Sequence, residues 1–549
     1  MGKKKMIRNI LIVLAGIVFL GVYYYVTIPA INIHSKGTWG AILFLVLVVM
    51  LLSGLKHLRG NGAETVEGLK TFRFHFKEFG LLFKVLAILL ILLCLFYIIG
   101  SLLSSPFFNA AKYQQLLTIE EREFTDDIKE VDYKTIPLLD KDSAALLGNR
   151  KMGSMVDMVS QFEVSGDYSQ INYQGKPVRV TPLTYASPIK WLTNQKNGIP
   201  AYILIDMTTQ NTECVKLTEG IKYSKGEYFN RNLYRHLRFR YPTYIFDEQI
   251  FFEIDEEGTP YWVCPVKKFN IGLFGGQTVG RVVLCNAQTG ECVDYAVEDV
   301  PSWIDKVYSA ELLVNLYDYS GLLKHGYWNS MLGQKDCLQS TNGYNYIALE
   351  DDVWVYTGIT SVSGDQSNVG FVLMNQRTME TRSYKVEGAI EDSAMSSAEG
   401  QVQNLGYRAT FPLLLNIADE PTYFMALKDG AGLVKKYAMV NVQKYQWVAI
   451  GDTVQECERS YTQLLGTNGI VSESSAAGKN ASGKIESISP IVLEGNTHYY
   501  LCLEGQEDIY DIDMSNTSLI QIIRYQPGDK ITLEYREGYG LNEVIDILP

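Results

Sequence analysis

Hydrophobic positions are arranged in two different ways along this chain. In the first 111 residues they come in long blocks. No Asp, Glu, Lys or Arg stands between Arg8 and Lys36, and further uncharged runs cover Gly37–Leu55 and Val85–Ala111. Each block approaches or exceeds the ~20 apolar residues that a helix needs to cross a bilayer. Tyr23, Tyr24, Tyr25 and Trp39 stand near the ends of the first two blocks, where interfacial aromatics belong. The first block, preceded by Lys3–Lys5 and Arg8, has the flank of a signal peptide. It is long, however, it lacks a small-residue cleavage site near Val26–Ala30, and two more blocks follow. It is read as a retained helix, so residues 1–111 are expected to form a membrane anchor of three transmembrane helices.

Beyond residue 111 the pattern changes to short alternating runs broken by turn residues, the signature of strands. Self-comparison exposes a repeat. Ala201–Leu217 aligns with Gly370–Val386, and both read as apolar strand, polar turn and alternating strand, a β-hairpin. Glu219-Gly220 and Glu387-Gly388 follow at matching positions. Helix-like segments come next, at roughly Lys225–Arg240 and Ser393–Tyr407. Strand pairs follow at Phe251–Val263 and Leu413–Met425, and closing hairpins at Val282–Val293 and Tyr437–Val448. Four features recur in order, at an offset drifting from 169 to about 155 residues. They define two related α+β modules at 170–300 and 345–465, with a connecting region at 112–169 and a helical connector at 301–344.

In the first module a helix is followed by a strand–turn–strand ending in Tyr261-Trp262, then by a hairpin carrying Asn286–Glu291. That order resembles the PepSY-type module, a small α+β unit of bacterial envelope proteins. The second copy departs from it, with Lys444-Tyr445 where Thr-Gly would stand. The whole chain resembles bacterial membrane-anchored envelope proteins with two PepSY-like repeats. The resemblance implies a binding or inhibitory role outside the cell.

Residues 466–482 have the Gly/Ser-rich composition of a flexible linker. Residues 483–549 follow with five short alternating strands, expected to close a small β-barrel resembling an OB-fold. The expected fold class is therefore α+β, with an N-terminal three-helix anchor, two PepSY-like modules and an OB-like barrel.

Charge assigns the sides. Residues 1–103 carry 11 Lys/Arg and 3 Asp/Glu, whereas the remainder carries 38 and 58, so a net −12 hides +8 followed by −20. The acidic body excludes nucleic acid as a main partner, because phosphate binding needs a positive field. Four cations precede the first block, six (Lys56, Arg59, Lys70, Arg73, Lys77, Lys84) lie between the second and third, and only Lys36 separates the first two. The positive-inside rule makes the N-terminus cytoplasmic and everything after about residue 105 extracytoplasmic.

Catalytic spacings are largely missing. Of six His, His34, His57 and His75 fall in the anchor, while His236, His325 and His498 are isolated in sequence, without zinc-site spacing. Ser187-Pro-Ile-Lys190 matches a serine–lysine pattern without its partner motifs and is read as coincidence. Gly272–Gly276 and Gly280 are read as a tight turn rather than a phosphate cradle. Neither a catalytic residue nor a cofactor or metal is expected.

Two polar features remain. Over 229–241, Arg231, Arg235 and Arg238 would share one helical face, joined by His236 and Arg240. They form a candidate anion or partner site, the plainer reading being neutralisation of Glu253, Asp255, Glu256 and Glu257. Cys285 and Cys292 flank a hairpin symmetrically. They are read either as a cross-strand disulfide or as small apolar strand residues. The functional expectation is a non-enzymatic binding, scaffold or sensor protein of a cell envelope, with a protein or wall component as partner. An envelope enzyme or its accessory subunit is the first alternative. An accessory subunit of a transporter is the second, disfavoured because no block contains an internal charge.

Overall fold

The computed structural model describes residues 2–60, 80–129, 136–137, 139–362, 367–468, 479–493, 496–506, 508–514, 516–536 and 541–548. Three helices open the chain: α1 (Gly2–Thr27), α2 (Lys36–Gly60) and α3 (Leu81–Leu103). Lys36–Gly54 of α2 and the whole of α3 are long and apolar enough to cross a membrane. Their apolar side chains face away from the protein. Leu82, Ile88, Ile91, Leu92, Ile98 and Ile99 of α3 are all more than half exposed, where a soluble core helix would bury such residues. In α1 the described apolar stretch is shorter, Leu14–Thr27, so two spans meet the criterion rather than the three expected. The basic loop around Lys70, Arg73 and Lys77 lies outside the described residues.

The chain divides into two compact units, Met1–Val448 and Ala449–Pro549. Within the first unit, both modules run hairpin, helix, strand pair, hairpin. The first module begins with a five-stranded sheet. Its path is Phe162–Val164, Lys176–Tyr185, Ile199–Asp206 and Thr212–Ile221, with Ser169–Tyr173 also paired to Lys176–Tyr185. The helix Leu233–Arg240 follows. A four-stranded antiparallel sheet then takes Phe251–Ile254, Pro260–Ile271, Gly275–Asn286 and Cys292–Ala296 in sequence order. In the second module the corresponding sheets are built on Asp352–Ser361, Gly370–Asn375 and Thr381–Tyr384, then on Leu413–Ile417, Glu420–Lys428 and Val434–Asn441, with the helix Glu391–Gln401 between them. The stretch read as a mere connection, 112–169, contributes a strand to each module. Glu120–Arg122 pairs in parallel with Thr381–Tyr384, and Phe162–Val164 pairs with Tyr185–Leu183.

One turn design recurs three times. Asp206, Asn286 and Asn375 each accept, through the side-chain oxygen, the backbone N–H groups two and three residues on, at 2.8–2.9 Å. The threonines at the fourth position (Thr209, Thr289, Thr378) then accept from the N–H two residues further on. The fifth residue takes a positive φ: Gln210 at 62°, Gly290 at 74° and Met379 at 66°. A short polar side chain that satisfies its own turn fixes hairpin register with little help from packing.

Both module helices differ in extent from the sequence expectation. The first begins only at Leu233, because Asn232 caps it by accepting from Arg235 N and Phe229–Arg231 forms a separate 3-10 turn. Arg231 therefore lies off the helix, and the three-arginine face reduces to Arg235 and Arg238. The second helix covers Glu391–Gln401.

In the second unit, Thr453 caps the helix Val454–Thr467 by accepting from Glu456 N, and the Glu456 carboxylate accepts from the N–H of Asp452, one residue before the cap. Five strands then pair around a ring: Lys479–Leu493, Asn496–Leu503, Ile509–Asp513, Asn542–Leu548 and Lys530–Arg536, the last returning to the first. The first strand starts inside the stretch expected to be linker, residues 469–478 of which lie outside the described residues. Ile485, Leu501, Leu503, Ile512 and Leu533 fill the ring's interior, with Leu519 and Ile522 entering from a 3-10 segment.

Candidate functional site

The strand Lys176–Tyr185 places Arg179 opposite Gln170 and Ile205. Arg179 is only 5% exposed. Its Nη2 donates to Gln170 Oε1 at 3.2 Å, while its Nε has no hydrogen-bond partner. Among the described residues the guanidinium has no ion-pair partner either. A buried arginine without a carboxylate is costly, so its environment calls for an explanation.

Lys306, also 5% exposed, approaches the same space from the loop before the helix Ala310–Leu322. Its position is set from both modules. Glu253, wholly buried on the strand Phe251–Ile254, accepts the N–H groups of Asp305 and Lys306 at 3.0 Å each. The next two N–H groups, of Val307 and Tyr308, donate to the Gln376 carbonyl of the second module. The loop is thus clamped, and the Lys306 ammonium lies 5.7 Å from the Phe251 ring and 4.5 Å from the Tyr346 ring.

These two cations, with Tyr168, Glu311, Tyr346 and Phe411, line a cavity of about 510 Å³ between the modules. The Tyr168 hydroxyl is buried and, like Arg179 Nε, has no partner. Of the four acidic residues lining the cavity, all but Glu248 are already engaged. Asp140 is paired with Lys428 at 2.6 Å and Asp167 with Lys225 at 2.7 Å, while Glu311 accepts from Tyr344 and Gln249. Burial pushes the Lys306 ammonium down to about 8, the Glu253 carboxyl up to about 7 and the Tyr168 phenol up to about 12, and it also lowers Arg179. A larger cleft of about 710 Å³ contains Lys268, Glu298 and Arg377. Arg377 is held there by both oxygens of Asp352, at 2.7 Å each. Lys268 in that cleft is exposed, whereas the smaller cavity is lined by two buried cations that form no ion pair among the described residues.

The five cations singled out in the sequence all turn to carbonyls of the chain itself. Arg231 donates to Gln195 O, Arg235 to Tyr25 O at 3.3 Å and Arg238 to Ile28 O at 3.0 Å, while Arg240 and His236 converge on Gly290 O at 2.8 and 2.7 Å. Among the described residues none of them forms an ion pair with Glu253, Asp255, Glu256 or Glu257. Arg235 and Arg238 meet the C-terminal end of α1, where a helix dipole and free carbonyls favour cations. A second contact joins the Gly-rich turn to α3. Ser104 Oγ accepts from Leu273 N and Phe274 N at 2.8 and 3.2 Å, and a side chain at Gly272 or Gly275 would collide with Ser104. His34 and Asn32, between α1 and α2, bond to Leu273 O and Thr243 O. Gly272–Gly276 is thus a docking turn. Ser187 caps the helix Pro188–Asn194, with Pro188 at its first position, which accounts for the serine–lysine spacing.

Cys285 and Cys292 are register partners on adjacent strands, and both thiols are free. His236 joins them from the helix laid over that face, the three ligand atoms lying within 4.8 Å of one another. The Cys285 thiol, His236 and Arg240 hold the Cys292 thiol down at about 5 against the opposing effect of burial. No protein-family model and no curated protein matches the chain.

Arg179 and Lys306 escaped the sequence reading, and Glu253 was read there as an ion-pair partner of the arginines rather than as the clamp of the Lys306 loop. The one local signal was Arg179 placed between the apolar Val178 and Val180 of its strand.

Proposed function

We propose that this chain is a membrane-anchored binding protein, a sensor or scaffold, that takes an anionic group of a small ligand into the cavity between its two modules. The observation that carries this reading is Arg179, buried against the cavity with Nε unpartnered beside the uncommitted ammonium of Lys306. A carboxylate or phosphate would satisfy both, with the Tyr168 hydroxyl as a further donor. A binder fits better than an enzyme. Both oxygens of Glu253 are held by backbone amides and Glu311 is held by two side-chain donors, so neither is free to act as a base.

The charge asymmetry supports an anchor with α1, α2 and α3 in the bilayer and the modules outside the cell. The two PepSY-like modules and the OB-like strand ring accord with a binding role but do not specify it. The test is a thermal shift of the detergent-solubilised full chain with inorganic phosphate or succinate. Stabilisation that rises with ligand and is lost in Arg179→Gln supports the proposal. An unchanged midpoint with both anions, or equal shifts in wild type and Arg179→Gln, overturns it.

A further inference from the structure

Cys285, Cys292 and His236 converge without any evident structural requirement. In the second module the turn residue equivalent to Asn286 is Asn441, whose N–H bonds to Trp447 O as that of Asn286 bonds to Glu291 O. The positions matching Cys285 and Cys292 are then Val440 and Val448. The fold accepts plain valines there, so two opposed cysteines and a histidine from a third element form a constellation that packing alone does not explain.

We propose that Cys285, Cys292 and His236 bind a thiophilic d10 cation such as zinc(II). With Zn–S about 2.3 Å and tetrahedral angles, two coordinating sulfurs lie about 3.8 Å apart. Ligand atoms already within 4.8 Å of one another need to close by no more than about an ångström. The imidazole is held in place before any metal arrives. Its Nε2 lies 2.7 Å from the Gly290 carbonyl and its ring packs 4.5 Å from that of Tyr223. An Nε2–H donated to that carbonyl leaves the lone pair on the other ring nitrogen, the outer support that metal-binding histidines use. Arg240 donates to the same carbonyl at 2.8 Å. Binding takes both cysteines as thiolates, any remaining thiol proton leaving to solvent, and the two negative charges neutralise the dication. Cys292 and His236 are half-buried, so the fourth position is open to water or to a small ligand.

The experiment uses the full chain in detergent, reduced, stripped with chelator and then titrated with zinc(II). One equivalent is expected, and cobalt(II) in its place should give thiolate-to-metal absorption. Cys285→Val with Cys292→Val installs the second module's residues, so it should stay folded by circular dichroism while losing the metal. His236→Ala should weaken binding by about 10-fold or more. Cys264→Ser, one strand away, should leave the stoichiometry unchanged. No retained zinc in the reduced wild type overturns the proposal. So does a Cys285–Cys292 disulfide, 2 Da lighter, that zinc does not prevent.

Discussion

The two modules share turns and element order, yet their helices carry opposite chemistry. In the first, Leu233–Arg240 is basic and its cations reach α1, the Gly290 carbonyl and the cysteine pair. In the second, Glu391–Gln401 has no Lys or Arg, and it buries Ala394, Ala398 and the acid Glu391 against its sheet. The shared requirement is the scaffold, namely hairpins closed by side-chain-capped turns and a helix across a sheet. The differences mark what each copy does. The first mounts the body on the helices and gathers thiols, while the second supplies the aromatic wall of the cavity through Tyr346 and Phe411.

The sharpest way to break this comparison is at the buried acids. Both oxygens of Glu253 accept backbone amides, whereas Glu391 accepts from Gly358 through Oε1 and its Oε2 has no partner. Glu253→Gln should lower unfolding stability by about 2–3 kcal/mol, because one amide then faces an NH2 group. Glu391→Gln should cost under ~1 kcal/mol. Denaturant titration compares the two, and equal losses would mean that the loop clamp does not depend on Glu253.

A smaller effect separates the turns. A Cβ at Gly290 would stand 2.4 Å from the Tyr223 ring, on top of a φ of 74°. Gly290→Ala should therefore cost about 2 kcal/mol and displace Tyr223 or His236. Met379 already carries a side chain at the same turn position, so Met379→Ala should cost less than half as much. Thermal unfolding of both variants decides the point. Comparable losses would show that the turn, rather than the ring above it, selects glycine.

The smallest effect is a titration. Lys306 faces Arg179, Glu253, Asp305 and Glu311, and burial brings it to about 8, so it is charged below that pH and neutral above it. Binding of phosphate or succinate should be complete in strength below about pH 7 and fall as pH rises through 8. The fall approaches tenfold per unit, about 1.4 kcal/mol. Lys306→Met should weaken binding and flatten the profile, while Tyr346→Phe, which keeps the ring, should leave its midpoint in place. A profile that stays steep in Lys306→Met would assign the titration to another group.

Much of the fold could be read along the chain because its determinants are local. The apolar blocks, the hairpins and the order of the repeat each depend on neighbouring residues. The triplicated turn, brought out by the structure, also has a local sequence signal: Asp206, Asn286 and Asn375 are each followed three places later by threonine. The cavity was not legible, for a physical reason. Arg179 and Tyr346, which line the same cavity, stand some 170 residues apart, and Lys306 is held by amides that bond to Glu253. The arginines of 231–240 look like a site in one dimension because composition shows charge and cannot show that the acceptors are carbonyls, at Gln195, at Gly290 and at the end of α1.

The paired contacts at Arg235–Arg238 and Leu273–Phe274 have a mechanical meaning. A domain on a slack tether would swing freely, whereas these hydrogen bonds tie this one to the ends of α1 and α3, so that a tilt of those helices would be passed to it. The strand Pro260–Ile271 ends at the turn seated on Ser104, and at its other end Tyr261 is the register partner of Glu253. About ten residues at 3.4 Å each make a lever of roughly 34 Å, so a tilt of about 5° at the turn moves the Glu253 end by about 3 Å. That displacement is as long as the bonds by which Glu253 holds the Lys306 loop.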